Sequence, residues 1–140
     1  MTREETVDLV DRWQNAADGH DLDAYADLYS ASAEIHSPMA GSVSGRDGTV
    51  KVLQAFLAAF PDFSLEWEPA IIDGGRVAAV AIVSGTNFGG FMGVPPSGRA
   101  FRFTVVFLLD VREGLIVRER RNYDFTGLLV QVGVLKAKPA

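Results

Sequence analysis

Up to Pro61 the apolar residues recur at steps of three and four, and from Phe63 onward at steps of two, so helices are expected first and strands afterwards. Val7, Val10, Trp13 and Ala17 mark one face of a first helix, opened by Thr2 and Glu5 at capping-box spacing and ended near Gly19. Asp21 can cap a second helix with Leu22, Tyr25, Ala26 and Tyr29 on its apolar face. A third follows Ser44-Gly45, carries Leu53, Phe56, Leu57 and Phe60, and stops at Pro61, which has no amide hydrogen to continue the ladder. Between the second and third, Glu34-Ile35-His36 reads as a short extended piece.

Phe63, Leu65 and Trp67 then alternate with polar residues, and Gly74-Gly75 supplies a hairpin turn into Val77 to Phe88. The apolar run at the start of that strand has two apolar faces, which predicts a central strand covered on both sides. Phe101, Phe103, Val105, Phe107, Leu109 and Val111 alternate along the next segment, Glu113-Gly114 turns the chain, and Leu115 to Phe125 forms the last strand. Leu128 to Leu135 reads as a short apolar tail. Helices followed by hairpin-linked strands define an α+β domain with helices on one side of an antiparallel sheet, and a sheet that curls around its helices leaves a cone-shaped interior.

At 140 residues the chain suits one domain, and nothing in it marks a linker or a repeat. A formal net charge of −5 leaves no basic footprint, which argues against nucleic acid as a partner. No apolar run approaches the ~18 residues of a membrane span and no leader-like segment opens the chain, so a cytoplasmic protein without a membrane partner is expected. The absence of cysteine removes thiolate chemistry, and two isolated histidines give no metal-binding spacing, so no metal is expected. Nucleotide-binding glycine motifs and a nucleophile elbow are also missing.

Candidate chemistry concentrates in the last strand. Simple alternation places Ile116, Arg118, Arg120, Asn122 and Asp124 on one face and Val117, Glu119, Arg121 and Tyr123 on the other. Charge on both faces suggests that one of them lines a wet cavity, because unpaired buried charge is costly. Asp124 is then either a general acid/base among Arg and Asn donors or part of a surface ion-pair stripe. His36 could shuttle a proton or simply bond to backbone, and His20 reads as a turn residue. The Gly- and Pro-rich segment 89–98, with Phe91, Met92 and Val94, suggests a stiffened apolar flap that closes over a pocket or packs against another subunit.

Trp13, the run His20-Asp-Leu-Asp-Ala-Tyr-Ala-Asp-Leu-Tyr29, Ile35-His36-Ser-Pro-Met-Ala-Gly41, the segment Phe91-Met-Gly-Val-Pro-Pro-Ser-Gly98 and Arg121-Asn-Tyr-Asp124 together resemble the SnoaL-like polyketide cyclases, from about residue 5 to about residue 134. The resemblance implies the nuclear-transport-factor-2-like cone, three N-terminal helices on a strongly curved antiparallel sheet. It also implies cofactor-independent acid/base catalysis of an intramolecular aldol closure, with Asp124 as acid/base and Asn122, His36 and Trp13 as donors to the developing enolate. A polyketide-like or other apolar carbonyl substrate would lie among Trp13, Tyr29, Phe56, Phe91, Met92, Phe107 and Arg120. Phe107 stands where such proteins often carry a histidine or acid, which keeps a non-catalytic binding or dimerisation module open. Limonene-epoxide hydrolase shares the fold, and Asp124 with Arg99, Arg102 or Arg120 would supply part of its Asp-Arg-Asp arrangement. Apolar surface left on the outer face of the sheet predicts a homodimer.

Overall fold

Thr2 and Glu5 cap the first helix reciprocally: the Thr2 hydroxyl accepts the Glu5 amide at 3.1 Å and the Glu5 carboxylate accepts the Thr2 amide at 3.4 Å. The computed structural model describes residues 1–136 and begins with that helix, α1 (Arg3–Asp18). Its buried face holds Thr6, Leu9, Val10, Trp13, Ala16 and Ala17, so Val7, expected inside, lies instead at the margin. Asp21 accepts the Ala24 amide at 3.1 Å and opens α2 (Leu22–Asp27). His20, at φ 54°, makes the turn between the two helices, and its Nε2 donates to the Phe63 carbonyl at 2.8 Å. Helix α2 stops two residues earlier than its apolar pattern suggests, so Tyr29 opens β1 (Tyr29–Ser37) and is fully buried there.

The extended piece around His36 is thus a nine-residue strand, followed by β2 (Gly41–Ser44) and α3 (Gly45–Ala59). Then come β3 (Ser64–Trp67), β4 (Ile71–Asp73), β5 (Arg76–Thr86), β6 (Ala100–Arg112) and β7 (Leu115–Asn122). Along β5, Val77, Ala79, Ala81 and Val83 are buried, while the alternate residues on its outer face are only half-covered in the single chain.

Two expectations are corrected here. The sheet, ordered β2-β1-β7-β6-β5-β3 with β4 also on β5, is not wholly antiparallel: β1 runs parallel to β7, with Ile35 opposite Glu119 and His36 opposite Arg120. Hairpins dictate direction only between consecutive strands, and no hairpin joins β1 to β7. The apolar tail is a fourth helix, α4 (Phe125–Gln131), which buries Leu128. Asp124 is its N-cap and Phe125, Leu128, Leu129 and Val132 follow at helical spacing, a pattern that prevails over the strand alternation running up to Phe125.

The sheet curves at register shifts between Tyr29 and Glu34 in β1 and between Asp110 and Val111 in β6. On β7 the second shift is decisive. Val111 faces Ile116 and Asp110 faces Arg118, so Val117 is the extra residue and the alternation changes phase there. Ile116 points inward with Glu119, and Arg118 points outward, whereas unbroken alternation would place Ile116 and Arg118 together.

Candidate functional site

The inner face of the sheet and helices α1 and α3 enclose a mostly apolar chamber of ≈ 60 Å³. Trp13 packs at its base, 5.1 Å from the Trp67 ring and 5.0 Å edge-on from Phe107. Phe56, Phe63 and Phe103 complete an aromatic wall, and Tyr25, Arg121 and Tyr123 bring polar atoms to it.

Behind that wall lies a buried polar cluster. Glu119, fully buried on β7, accepts the Arg121 Nε proton at 2.7 Å and the Tyr29 hydroxyl proton. The Trp13 indole donates to the Tyr29 oxygen at 2.9 Å. Tyr29 has one proton and the carboxylate takes it, so in the 2.9 Å contact between the two tyrosine oxygens Tyr25 is the donor. Tyr25 also stands 3.4 Å from Glu119 Oε1 and accepts from Arg121 at 3.4 Å. The Arg121 side chain is 13 % exposed, sits 5.3 Å above the Phe107 ring, and has no protein partner for its Nη1 protons among the described residues. A fixed guanidinium with unclaimed donors at the end of an aromatic cavity can hold a carbonyl oxygen or an oxyanion.

Burial, and after it the Glu119 charge, pushes the Tyr25 hydroxyl up to about 12 and the Tyr29 hydroxyl well above its ordinary value. Burial raises Tyr123 as well. For Arg121 burial acts downward, but the attraction of Glu119 more than offsets it, so the guanidinium is held more firmly charged than in water.

The residues singled out from the sequence fall into separate places. Trp13, Phe56 and Phe107 line the chamber, and Tyr29 lies behind it. His36, Arg120 and Asn122 line not the chamber but a polar cleft of ≈ 440 Å³ at the ends of β1 and β7, which shares Ser37 and Arg121 with the chamber and where His36 Nδ1 is 2.9 Å from the Ser42 hydroxyl. Phe91 is buried on the flap, 4.9 Å from the Phe60 ring, and Met92 is 57 % exposed at its tip. Asn87, fully buried, anchors the flap by donating to Ser97 at 3.1 Å and accepting the Gly90 amide at 3.0 Å.

Asp124 does not project into the chamber. Its carboxylate is exposed and accepts the Gly127 amide at 2.8 Å, because β7 ends at Asn122 and the next residue able to satisfy the first turn of α4 is Asp124. Glu119 and Arg121, five and three residues earlier on the inner face of β7, supply the buried charge instead. The Asp-Arg-Asp arrangement is not assembled either: Arg99 and Arg102 are exposed, and Asp110 pairs with Arg76 at 3.4 Å. Among the described residues no three potential ligands of a metal ion converge, and no helix is long and apolar enough to cross a membrane.

A curved, open sheet cupped around helices, with a pocket between them, is the cone of the nuclear-transport-factor-2 and ketosteroid-isomerase-like class. Within that class the chain belongs to the SnoaL-like polyketide cyclase family, whose family model matches residues 7–132. AclR from Streptomyces galilaeus, a proposed hydroxylase, is 30 % identical with a TM-score of 0.84, the match covering 99 % of this chain and 87 % of that one. Wild-type IdmH from Streptomyces antibioticus, a proposed polyketide cyclase, is 32 % identical over 91 % of this chain and 97 % of its own, with a TM-score of 0.77. A SnoaL-like protein from Jannaschia sp. CCS1, 23 % identical with a TM-score of 0.83 over 97 % and 94 % of the two chains, shares the fold. No protein of curated function matches the chain in sequence.

Proposed function

We propose that the chain is a cofactor-independent cyclase that closes a ring by intramolecular aldol addition in a carbonyl-containing, polyketide-like substrate. The observation that carries this reading is the Arg121 guanidinium, held by buried Glu119 and presented with unclaimed donors to an aromatic chamber. Among the described residues no carboxylate or imidazole lines the chamber. Proton removal therefore runs through Tyr25: its oxygen accepts the proton alpha to a carbonyl while its own proton passes to the Tyr29 oxygen, 2.9 Å away, and the Tyr29 proton passes to Glu119. Negative charge moves from Glu119 to the enolate oxygen, and Arg121 adjoins both, so the step separates little charge. The enolate carbon then attacks the second carbonyl, and the resulting alkoxide recovers the proton by the reverse path. Trp13 and Tyr29 keep Glu119 oriented, and the aromatic wall folds the substrate so that its reacting carbons meet. In this reading Asp124 acts as a helix cap, and His36, Asn122 and Arg120 stand outside the reaction.

Deuterium exchange into acetone, a carbonyl compound small enough for the chamber, tests the proton step. The protein should accelerate exchange, Tyr25→Phe should remove that acceleration, about 10²–10⁴-fold for a lost acid/base group, and Asp124→Asn should retain it. The reverse pattern returns the acid/base role to Asp124. Phe107 and the lack of a free base on the wall favour a second reading, a binding module, which predicts acetone binding without exchange. The half-covered outer face around Val80, Ile82, Val106 and Leu108 supports a homodimer through the sheet; light scattering showing only monomer at micromolar concentration would count against it.

A further inference from the structure

At ≈ 60 Å³ the chamber is far smaller than the about 300–1,000 Å³ of ordinary small-molecule sites, so a folded polyketide-like chain cannot lie wholly within it. A second hollow, a groove of ≈ 440 Å³, runs between α3 and the flap. Met39 and Val52 line both spaces, so these two side chains are the partition between them. Met39 is half-buried, unbranched and placed on the turn after β1, and a thioether chain of that kind swings aside readily.

The groove is mostly apolar and lined by small residues for a local reason. The flap backbone lies directly on α3, where the Gly89 amide donates to the Ala59 carbonyl at 3.0 Å and a β-carbon at position 89 would fall 1.8 Å from the Ala58 oxygen. Ala55 and Ala58 on α3 and Gly90 on the flap leave the wall without side-chain bulk, and exposed Met92 borders it. Lys51 also lines it and forms no ion pair among the described residues.

Resting on the cyclase reading of the chamber, we propose that the groove is the second half of the substrate site, and that the substrate is an elongated molecule carrying a carboxylate. The carbonyl end reaches Arg121 and Tyr25, the apolar middle passes Met39 and Val52, and the tail lies along α3 with its carboxylate at Lys51. The flap is the outer wall of this groove, which gives its glycines a function: any side chain at position 89 would lift it from α3.

Decanoate and decanol serve as probes of the groove, read by the emission of Trp13 and Trp67, the only two tryptophans, both of which line the chamber. Decanoate should change that emission saturably. Ala55→Phe, at an exposed position of α3, should weaken decanoate at least tenfold by filling the groove. Lys51→Gln should weaken decanoate about two- to fivefold, the range for a solvent-exposed ion pair, and leave decanol unchanged. Decanoate that fails to bind, or binds equally to all three proteins, overturns the proposal. Acetone exchange by the unmodified protein does not involve the groove: if it persists when decanoate fails, the groove assignment falls alone, and if it is also absent the cyclase reading falls with it.

Discussion

Replacing Glu119 by Gln keeps the shape of the side chain and removes its charge, which isolates the electrostatic role of the buried cluster. The carboxylate is fully buried and its Arg121 partner nearly so, so water cannot substitute for either. A unit pair at ~4 Å in an effective dielectric of ~20 is worth about 4 kcal/mol, and truncating one member of a buried pair costs about 3–5 kcal/mol because the other charge is left uncompensated. A further loss follows from the amide: one of its ends must present N–H groups to either the Tyr29 proton or the Arg121 protons, donor against donor. For a domain of this size about 1 kcal/mol moves Tm by about 3–4 °C, so Glu119→Gln should lower Tm by roughly 10–15 °C. Urea unfolding should show a lower midpoint with an unchanged slope. The double replacement Glu119→Leu with Arg121→Met should recover most of the loss, since it removes both charges. Asp124→Asn should stay within about 0.5 kcal/mol of the parent, because Asn caps a helix as well as Asp. If Glu119→Gln costs less than about 1 kcal/mol, or the double variant is no more stable than the single, Glu119 is not the counter-charge of Arg121 and the electrostatic argument for the site fails.

All three tyrosines have hydroxyls raised by burial, Tyr25 to about 12, so the folded state holds protons that the unfolded chain releases near pH 10. Stability from this source is complete below about pH 10 and is lost as pH climbs toward 12, on the order of 2–3 kcal/mol for Tyr25 alone. Tyrosinate absorbance from Tyr25 and Tyr29 should thus appear only together with loss of the near-ultraviolet circular dichroism, and in a Tyr123→Phe background a tyrosine ionising near pH 10 in intact protein would contradict their burial. Gly89→Ala should cost about 1–3 kcal/mol by overpacking against Ala58 and should speed hydrogen exchange of the flap amides; unchanged flap protection would show that the contact with α3 is loose.

Much of the architecture was legible because it rests on local physics. Thr2, Glu5 and Asp21 cap the helices at the expected positions, Pro61 stands just past the end of α3, and Gly74 and Glu113-Gly114 turn the hairpins with positive φ. The same periodicities put Trp13, Phe56 and Phe107 on inward apolar faces, and these faces meet around the chamber. The polar centre was harder to read. Glu119 and Arg121 were visible as charges on one face of the last strand, but alternation alone does not say which face is inside. Asp124 lay in a strand pattern and also at N-cap spacing from Leu128, and the second relation prevails.

The chain's own pattern thus determined the order and kind of most elements, since caps, turns and apolar periods act over a few residues. Two matters were left to the tertiary structure: the parallel pairing of β1 with β7, between strands that no hairpin joins, and the phase change at Val117. An extra residue in one strand inverts the facing of everything after it, and whether such a residue exists depends on the register of the partner strand, which periodicity cannot contain. That single shift sends Glu119 and Arg121 to the tyrosines and the chamber and leaves Arg118, Arg120 and Asn122 outside.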